Sequence, residues 1–302
     1  MSEPNERNCS PEGLPLSVRR YTYRREDFTQ IIDLELERLY RSMHSIKTTS
    51  NAIRNGGNLY ASEEPEDMTE YIIFSIDPAT HARDFLDPDI EPIRGICTTF
   101  DQTTNSMVVK MLLPEHAQLS IDISMAIREA LGPMGLNKSI FDYGHTTLPI
   151  ANGFKEPDAS WVLRRPPRGS PRRPTVVLEI SISETHAKLV RDASQWLDPI
   201  HGLANVVLAI KVDRRQPRFT IQRWQYDSAR AAIKNVQTIE IIGSSKGDEV
   251  TVTALTGGPL IIPFHLFFLR PAEHHRREGD ILIDEQELKE MAQFIWEIQF
   301  SD

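Results

Sequence analysis

Two carboxylates stand out in this sequence: Glu179, which interrupts a run that otherwise reads as apolar strand, and Asp158, directly after Pro157 and about twenty residues upstream. Thr175 to Ser183 (TVVLEISIS) is rich in β-branched residues, which favour a strand. A strand has period two, so Glu179, Ser181 and Ser183 leave one face while Leu178, Ile180 and Ile182 leave the other. An ionised glutamate there is costly unless a cation or a hydrogen-bond donor meets it. Asp158 opens a second short strand, Ala159 to Leu163, and a hairpin between the two runs brings both carboxylates to the ends of adjacent strands. Two hard oxygen ligands suit Mg²⁺ or Mn²⁺. Plainer roles exist for each: an Asx-type turn for Asp158, and a structural pairing with an arginine for Glu179.

Between the two acids lies RRPPRGSPRR, with Arg164, Arg165, Arg168, Arg172 and Arg173. A fork of arginines attracts backbone phosphate, here close to the proposed metal site. A nuclear-localisation patch or simple solvated charge gives the same pattern. Trp161 and Trp224 are either stacking surfaces for bases or core residues on strands. His186 is a general-base candidate or a partly exposed polar residue. The nine histidines form no HExxH or paired ligand spacing, and no phosphate-binding glycine loop, GxSxG elbow or dinucleotide fingerprint occurs.

The elements that must position these residues follow from periodicity. Helical spacing runs from Arg25 to about Ile46, and strands are expected at 71–77 and as a hairpin, 93–100 with 106–113, around Gln102-Thr103-Thr104-Asn105. A helix covers about 117–131. After the 175–183 strand comes a helix with Leu189, Ala193, Trp196 and Leu197 on one side, with Ser181 and Glu184 as a capping box. Asn205 to Val212 is then a strand parallel to the first, through a right-handed crossover. Phe219 to Tyr226 alternates, 238–242 with 249–255 suggest a hairpin, and 284–300 is an amphipathic helix with Leu288, Met291, Phe294, Ile295 and Ile298 on one side.

The order Pro157-Asp158, Glu179-Ile180-Ser181, helix, strand resembles the core of the PD-(D/E)xK nuclease superfamily, which includes many restriction endonucleases. Within it the chain also resembles a group of uncharacterised fungal proteins that carry PD, a strand end like Val177 to Glu184, and a helix ending as Trp196-Leu197 does. The likeness spans roughly 115–226. It implies an α/β (α+β) fold, a restriction endonuclease-like core whose mixed central sheet is flanked by helices, here with an N-terminal helix and β-hairpin added. It also implies metal-dependent phosphodiester hydrolysis of DNA or RNA, with Asp158, Glu179 and the Ile180 carbonyl around Mg²⁺ or Mn²⁺. The motif's lysine position is Ser181, whose hydroxyl carries no cation. Lys188 and Lys211 are candidates for a displaced lysine; Lys188 otherwise forms a surface pair with Asp192, and sequence assigns no face to Lys211. A catalytically silent binding or scaffolding protein on the same fold is the alternative function.

At 302 residues, 40% hydrophobic and 25% charged, the composition is that of a folded globular chain. The formal net charge of −9 excludes a general nucleic-acid coating protein and confines nucleic-acid contact to the local basic loop. Only Cys9 and Cys97 occur, so no disulfide framework is expected; with no secretory leader or membrane span in view, the chain reads as intracellular, cytoplasmic or nuclear. The organisation expected is a disordered tail at 1–24, a helical and β extension at 25–114, and a nuclease-like domain at 115–302 with C-terminal covering elements. Thr48 to Thr69, with its acidic run, reads as a loop, and oligomeric state is left open.

Overall fold

Period-two runs in the sequence become two mixed sheets, one in each of the two units into which the chain divides. The computed structural model describes residues 14, 18–54, 69–87, 89, 95–144, 146–182, 186–198, 204–246 and 249–300. In chain order the elements are β1 (Arg20–Thr22), α1 (Arg25–Arg54), β2 (Tyr71–Ser75), α2 (Pro78–Phe85), β3 (Ile96–Asp101), β4 (Ser106–Met111), α3 (Pro114–Leu131), β5 (Ile140–Tyr143), β6 (Leu148–Ile150), β7 (Gly153–Lys155) and β8 (Ala159–Leu163). There follow β9 (Pro174–Ser181), α4 (His186–Leu197), β10 (Val206–Val212), β11 (Arg218–Asp227), β12 (Ala232–Lys246), β13 (Glu249–Thr256), β14 (Leu260–Ile262), α5 (Phe264–Phe268), β15 (Ile281–Ile283) and α6 (Glu285–Phe300). The expected class, α/β with mixed sheets flanked by helices, is the one found.

The first unit comprises residues 1–113, 147–156 and 182–191, and its sheet has the order β1-β2-β4-β3-β7-β6. Part of the tail expected over 1–24 is ordered: Leu14 and Val18 are buried with Tyr71, Ile73 and Val108, and β1 pairs parallel with β2. An apolar pair inside a polar segment is too sparse to show a period, so the sequence hid it. The helix α1 runs eight residues past the expected end near Ile46, to Arg54, and most of the acidic run beyond it lies outside the described residues. Its Glu35 is buried and accepts hydrogen bonds from Tyr21 Oη at 2.6 Å and Arg19 Nη1 at 3.0 Å. The helix α2 was not expected. Its start is nonetheless written in the chain: Pro78 takes the first turn, where a missing N–H costs nothing, and Asp77 Oδ1 accepts from the Ala79 and Thr80 amides, each at 3.0 Å.

The second unit comprises 114–146, 157–181 and 192–302, with the sheet order β13-β12-β11-β10-β9-β8-β5 and a small β14-β15 ribbon. The units divide at 113/114, and the first also takes 147–156 and 182–191. The strand pair β9 and β10 is parallel, as the crossover required, and β11, β12 and β13 continue antiparallel. Inward faces supply Ile180, Ile210, Phe219, Ile221, Ile239 and Ile241, all buried, and α3, α5 and α6 pack against this sheet. Trp296 of α6 lies on Gly243 so closely that an added Cβ would stand 2.6 Å from its ring. Phe294 departs from the expected stripe: it is exposed, while Leu288, Met291, Ala292, Ile295 and Trp296 are buried. Among the described residues no helix is long and apolar enough to cross a membrane.

In the first unit His81 is buried and stacked on Phe100 at 3.9 Å and on Phe85 at 5.3 Å between centroids. Burial disfavours the imidazolium and pushes its pKa from 6.5 down to about 4. The unfolded chain therefore takes up this proton first, so stability is full above pH 6.5 and falls as pH drops toward 4. Replacing His81 by Phe is expected to flatten urea-unfolding stability between pH 7 and pH 4.5; an unchanged pH slope would remove His81 as the cause.

Candidate active site

Strand register decides which side chains meet. In the antiparallel pair of β8 and β9, Ala159 lies opposite Leu178 and Ser160 opposite Val177, so the next step sets Asp158 opposite Glu179. Opposed residues of such a pair project from the same face. Asp158 directly precedes β8, and the Ile180 amide donates to its Oδ2 at 2.5 Å, which ties the carboxylate to the end of β9. An extended residue directs its N–H and C=O to the same side, so the Ile180 carbonyl also points toward the strand of Asp158.

On the other flank of β9, the parallel register puts Glu179 beside Ala209 and Ser181 beside Lys211. Glu179, Ser181, Ala209 and Lys211 therefore share one face. This settles the face that sequence left open for Lys211: it is that of Glu179. Ser181 is buried, and among the described residues its hydroxyl has no hydrogen-bond partner, whereas the lysine one strand over is exposed.

The helix α4 closes this face over Glu179. Trp196, fully buried, donates its Nε1–H to Glu179 Oε1 at 2.5 Å. Both carboxylates are themselves buried, Asp158 at 3% and Glu179 at 5% exposure. Neither an indole nor an amide N–H carries charge, so these bonds aim the carboxylates without offsetting their charge. No group of three or more His, Cys, Asp or Glu comes together as a metal-ligand cluster among the described residues. Two carboxylates with a backbone oxygen still fit Mg²⁺, which keeps several waters and binds through one or two carboxylates plus substrate phosphate.

The acids and Lys211 lie at the end of the sheet formed by the C-termini of β9 and β10. That end also carries the β10–β11 turn, where Asp213 Oδ1 accepts from the Arg215 and Gln216 amides at 2.8 and 3.1 Å. Arg214, Arg215 and Arg218 ride on this turn and its exit. Sequence reading passed over them, although the run DRRQPR between two strands marks a short basic turn.

The arginine-rich loop is elsewhere. It joins the far ends of β8 and β9, and Arg164 stands roughly six residues, or about 20 Å, along β8 from Asp158. The expectation that these arginines lie close to the acidic pair is thus corrected: a hairpin loop lies at the opposite end of its strands from the residues that open and close the hairpin. Arg164 and Arg172 stack over the Phe141 ring at 5.0 and 5.6 Å, Arg173 donates to Asn205 Oδ1 at 3.1 Å, and Arg165 and Arg168 are exposed. Burial lowers the Arg173 pKa.

Lys188 belongs to the first unit, with its ammonium 5.4 Å from the Tyr71 ring centroid. Lys188 and Asp192 are both buried, so neither is the surface residue that the helical spacing suggested. Trp161 is core, and Trp224 is buried with its Nε1 donating to Gln222 Oε1 at 3.1 Å, so neither ring faces solvent as a stacking surface. The His186 side chain and the cap at Glu184 fall outside the described residues. Two further lysines escaped sequence reading. Lys110 and Lys155, both buried, share one face of the first unit's sheet through Cys97 and Thr99. Their signal was the one that exposed Glu179, a charge inside an apolar strand.

No family model matches the chain, and no curated protein matches it. Among solved structures it is similar to a proposed nuclease belonging to DUF820 from Anabaena variabilis ATCC 29413, at 12% identity and a TM-score of 0.39, over 67% of this chain and 94% of that one.

Trp196→Phe keeps an aromatic ring and removes the donor to Glu179. A buried carboxylate that loses a charge-assisted bond, with a small cavity added, is expected to cost about 2–4 kcal/mol in urea unfolding. A midpoint equal to the parent's would show that the indole does not hold Glu179.

Proposed function

We propose that the chain is a metal-dependent nuclease of the PD-(D/E)xK type, acting on DNA or RNA, in which Asp158, Glu179 and the Ile180 carbonyl hold Mg²⁺ or Mn²⁺ and Lys211 takes the part of the lysine absent at Ser181. The observation that carries this reading is the register. Carried on by one residue, the β8–β9 step brings Asp158 opposite Glu179, and Lys211 pairs with Ser181 on the face of Glu179, at the same end of the sheet. The carboxyl ends of parallel strands are where open α/β sheets bind ligands.

When bound, the ion would polarise the scissile phosphate and make a hydroxide nucleophile accessible at neutral pH. The protein's own share is positioning and charge. Trp196 and the Ile180 amide hold the carboxylates in place before substrate arrives, which avoids reorganisation in the reaction. Lys211 offsets negative charge on the phosphate from the side opposite Asp158. Arg214, Arg215 and Arg218 supply a local basic surface at the same end of the sheet, despite the acidic net charge.

A second reading rests on the same bonds. Carboxylates this buried, each already accepting from a protein N–H, also serve as a structural pair in a silent scaffolding protein. Cleavage of mixed DNA and RNA with Mg²⁺ or Mn²⁺ separates the two. Asp158→Ala and Glu179→Ala are each expected to lower metal-stimulated cleavage at least about a hundredfold, and Lys211→Ala at least about tenfold. Titration calorimetry with Mn²⁺ is expected to give heat above that of Asp158→Ala. Unchanged cleavage in either acid variant, or no excess heat, overturns the nuclease reading in favour of the scaffold.

A further inference from the structure

Within the second unit, at the hairpin end remote from the acidic pair, lies a cavity of about 450 Å³ walled by Lys138, Arg164, Arg165 and Arg270, with Leu163 and Phe268 among its apolar lining. Its size is that of a small-molecule site. Four cations meet here, with no carboxylate in the lining, on a chain of net charge −9.

These cations are held in different ways. Arg270 is fixed: its two terminal nitrogens donate to Glu278 at 2.5 and 2.7 Å, and its guanidinium lies 4.9 Å from the Phe264 ring centroid. That ion pair holds Glu278 down at about 2 and leaves Arg270 as a wall of the pocket rather than its main anion receptor. Arg164 is oriented by Phe141 beneath it and by one bond from Nη1 to the Lys138 carbonyl at 3.2 Å, which engages one of its five N–H donors. Arg165 and Lys138 are exposed at the rim. A planar guanidinium fork matches phosphate oxygens bidentately, and a lysine adds a point charge. Phe268 and Leu163, both largely buried, form an apolar wall for whatever carries that phosphate.

We infer that this pocket binds the phosphate of a nucleotide, with Arg164, Arg165 and Lys138 taking the phosphate and Phe268 with Leu163 taking the apolar face of the base or sugar. This does not rest on the cleavage reading, because the pocket is about 20 Å from Asp158 along β8.

The probe is adenosine monophosphate, titrated by calorimetry at low salt into the full chain, with adenosine and inorganic phosphate as controls. The monophosphate is expected to bind at least tenfold more tightly than adenosine and to be displaced by phosphate. Lys138→Ala with Arg165→Ala is expected to weaken it at least tenfold while leaving thermal unfolding unchanged, since both side chains are exposed. Glu179→Ala is expected to bind it as the parent does, so failure of cleavage and failure of this pocket are separately visible. Competition by an oligothymidylate bearing a 5′-phosphate, and none by its 5′-hydroxyl form, would identify a strand end as the source of the phosphate; no competition by either would identify a free nucleotide. Equal affinity for adenosine and its monophosphate, or full affinity in the double variant, overturns the inference.

Discussion

The amide of Ile180 donates to Asp158, and that contact sets the geometry of the second unit's polar face. It ties Asp158 to the end of β9, and because side chains alternate along a strand, a slip of one residue would turn Asp158 to the other face of the sheet. Held at this step, Asp158 faces Glu179, and the parallel pairing of β9 with β10 carries the same face outward to Lys211. A buried carboxylate is tolerated when donors meet it, and here the fold provides them: the backbone for Asp158, Trp196 for Glu179.

The polarity of a hairpin separates two kinds of basic residue. Residues that open β8 and close β9 gather at one end, with the β10–β11 turn and its arginines; the loop between the strands, with Arg164 to Arg173, lies at the other. The loop's cations are ordered by aromatic faces and by neighbouring carbonyls, as Phe141 does for Arg164 and Arg172, and they help to enclose a pocket. One sheet thus presents a carboxylate site and a cationic site at opposite ends. Between them runs a core in which Val176, Val177, Leu178 and Ile180 are fully buried.

The first unit is built by a chain that leaves and returns. Its sheet takes β6 and β7 from a segment between β5 and β8, so the polypeptide enters the second unit for α3 and β5, goes back, and re-enters just before Asp158. The antiparallel pairing of β3 with β7 fastens that return, with Glu156 accepting from the Thr98 amide at 2.9 Å. A similar economy governs its buried charges: Glu35 is met by Arg19, Tyr21 and Arg38, and Asp84 by Arg83, Arg25 and Tyr23.

What the sequence determined by itself were the local elements and their faces. The TVVLEISIS strand, its parallel partner at 206–212, the 96–111 hairpin and the helices α3 and α6 are written in periodicity, because burial on one face leaves a period that composition cannot disguise. The exceptional status of Glu179 was legible for the same reason. Tertiary structure alone decided the partners. Register put Lys211 on the face of Glu179; Trp196, which in sequence is only one of several apolar residues on its helix, became the donor to that glutamate; and an arginine run close to Asp158 in sequence went to the far end of its strand. Each depends on which strands pair and where a helix crosses them, and those choices are made by contacts between residues far apart in the chain, which no local pattern encodes.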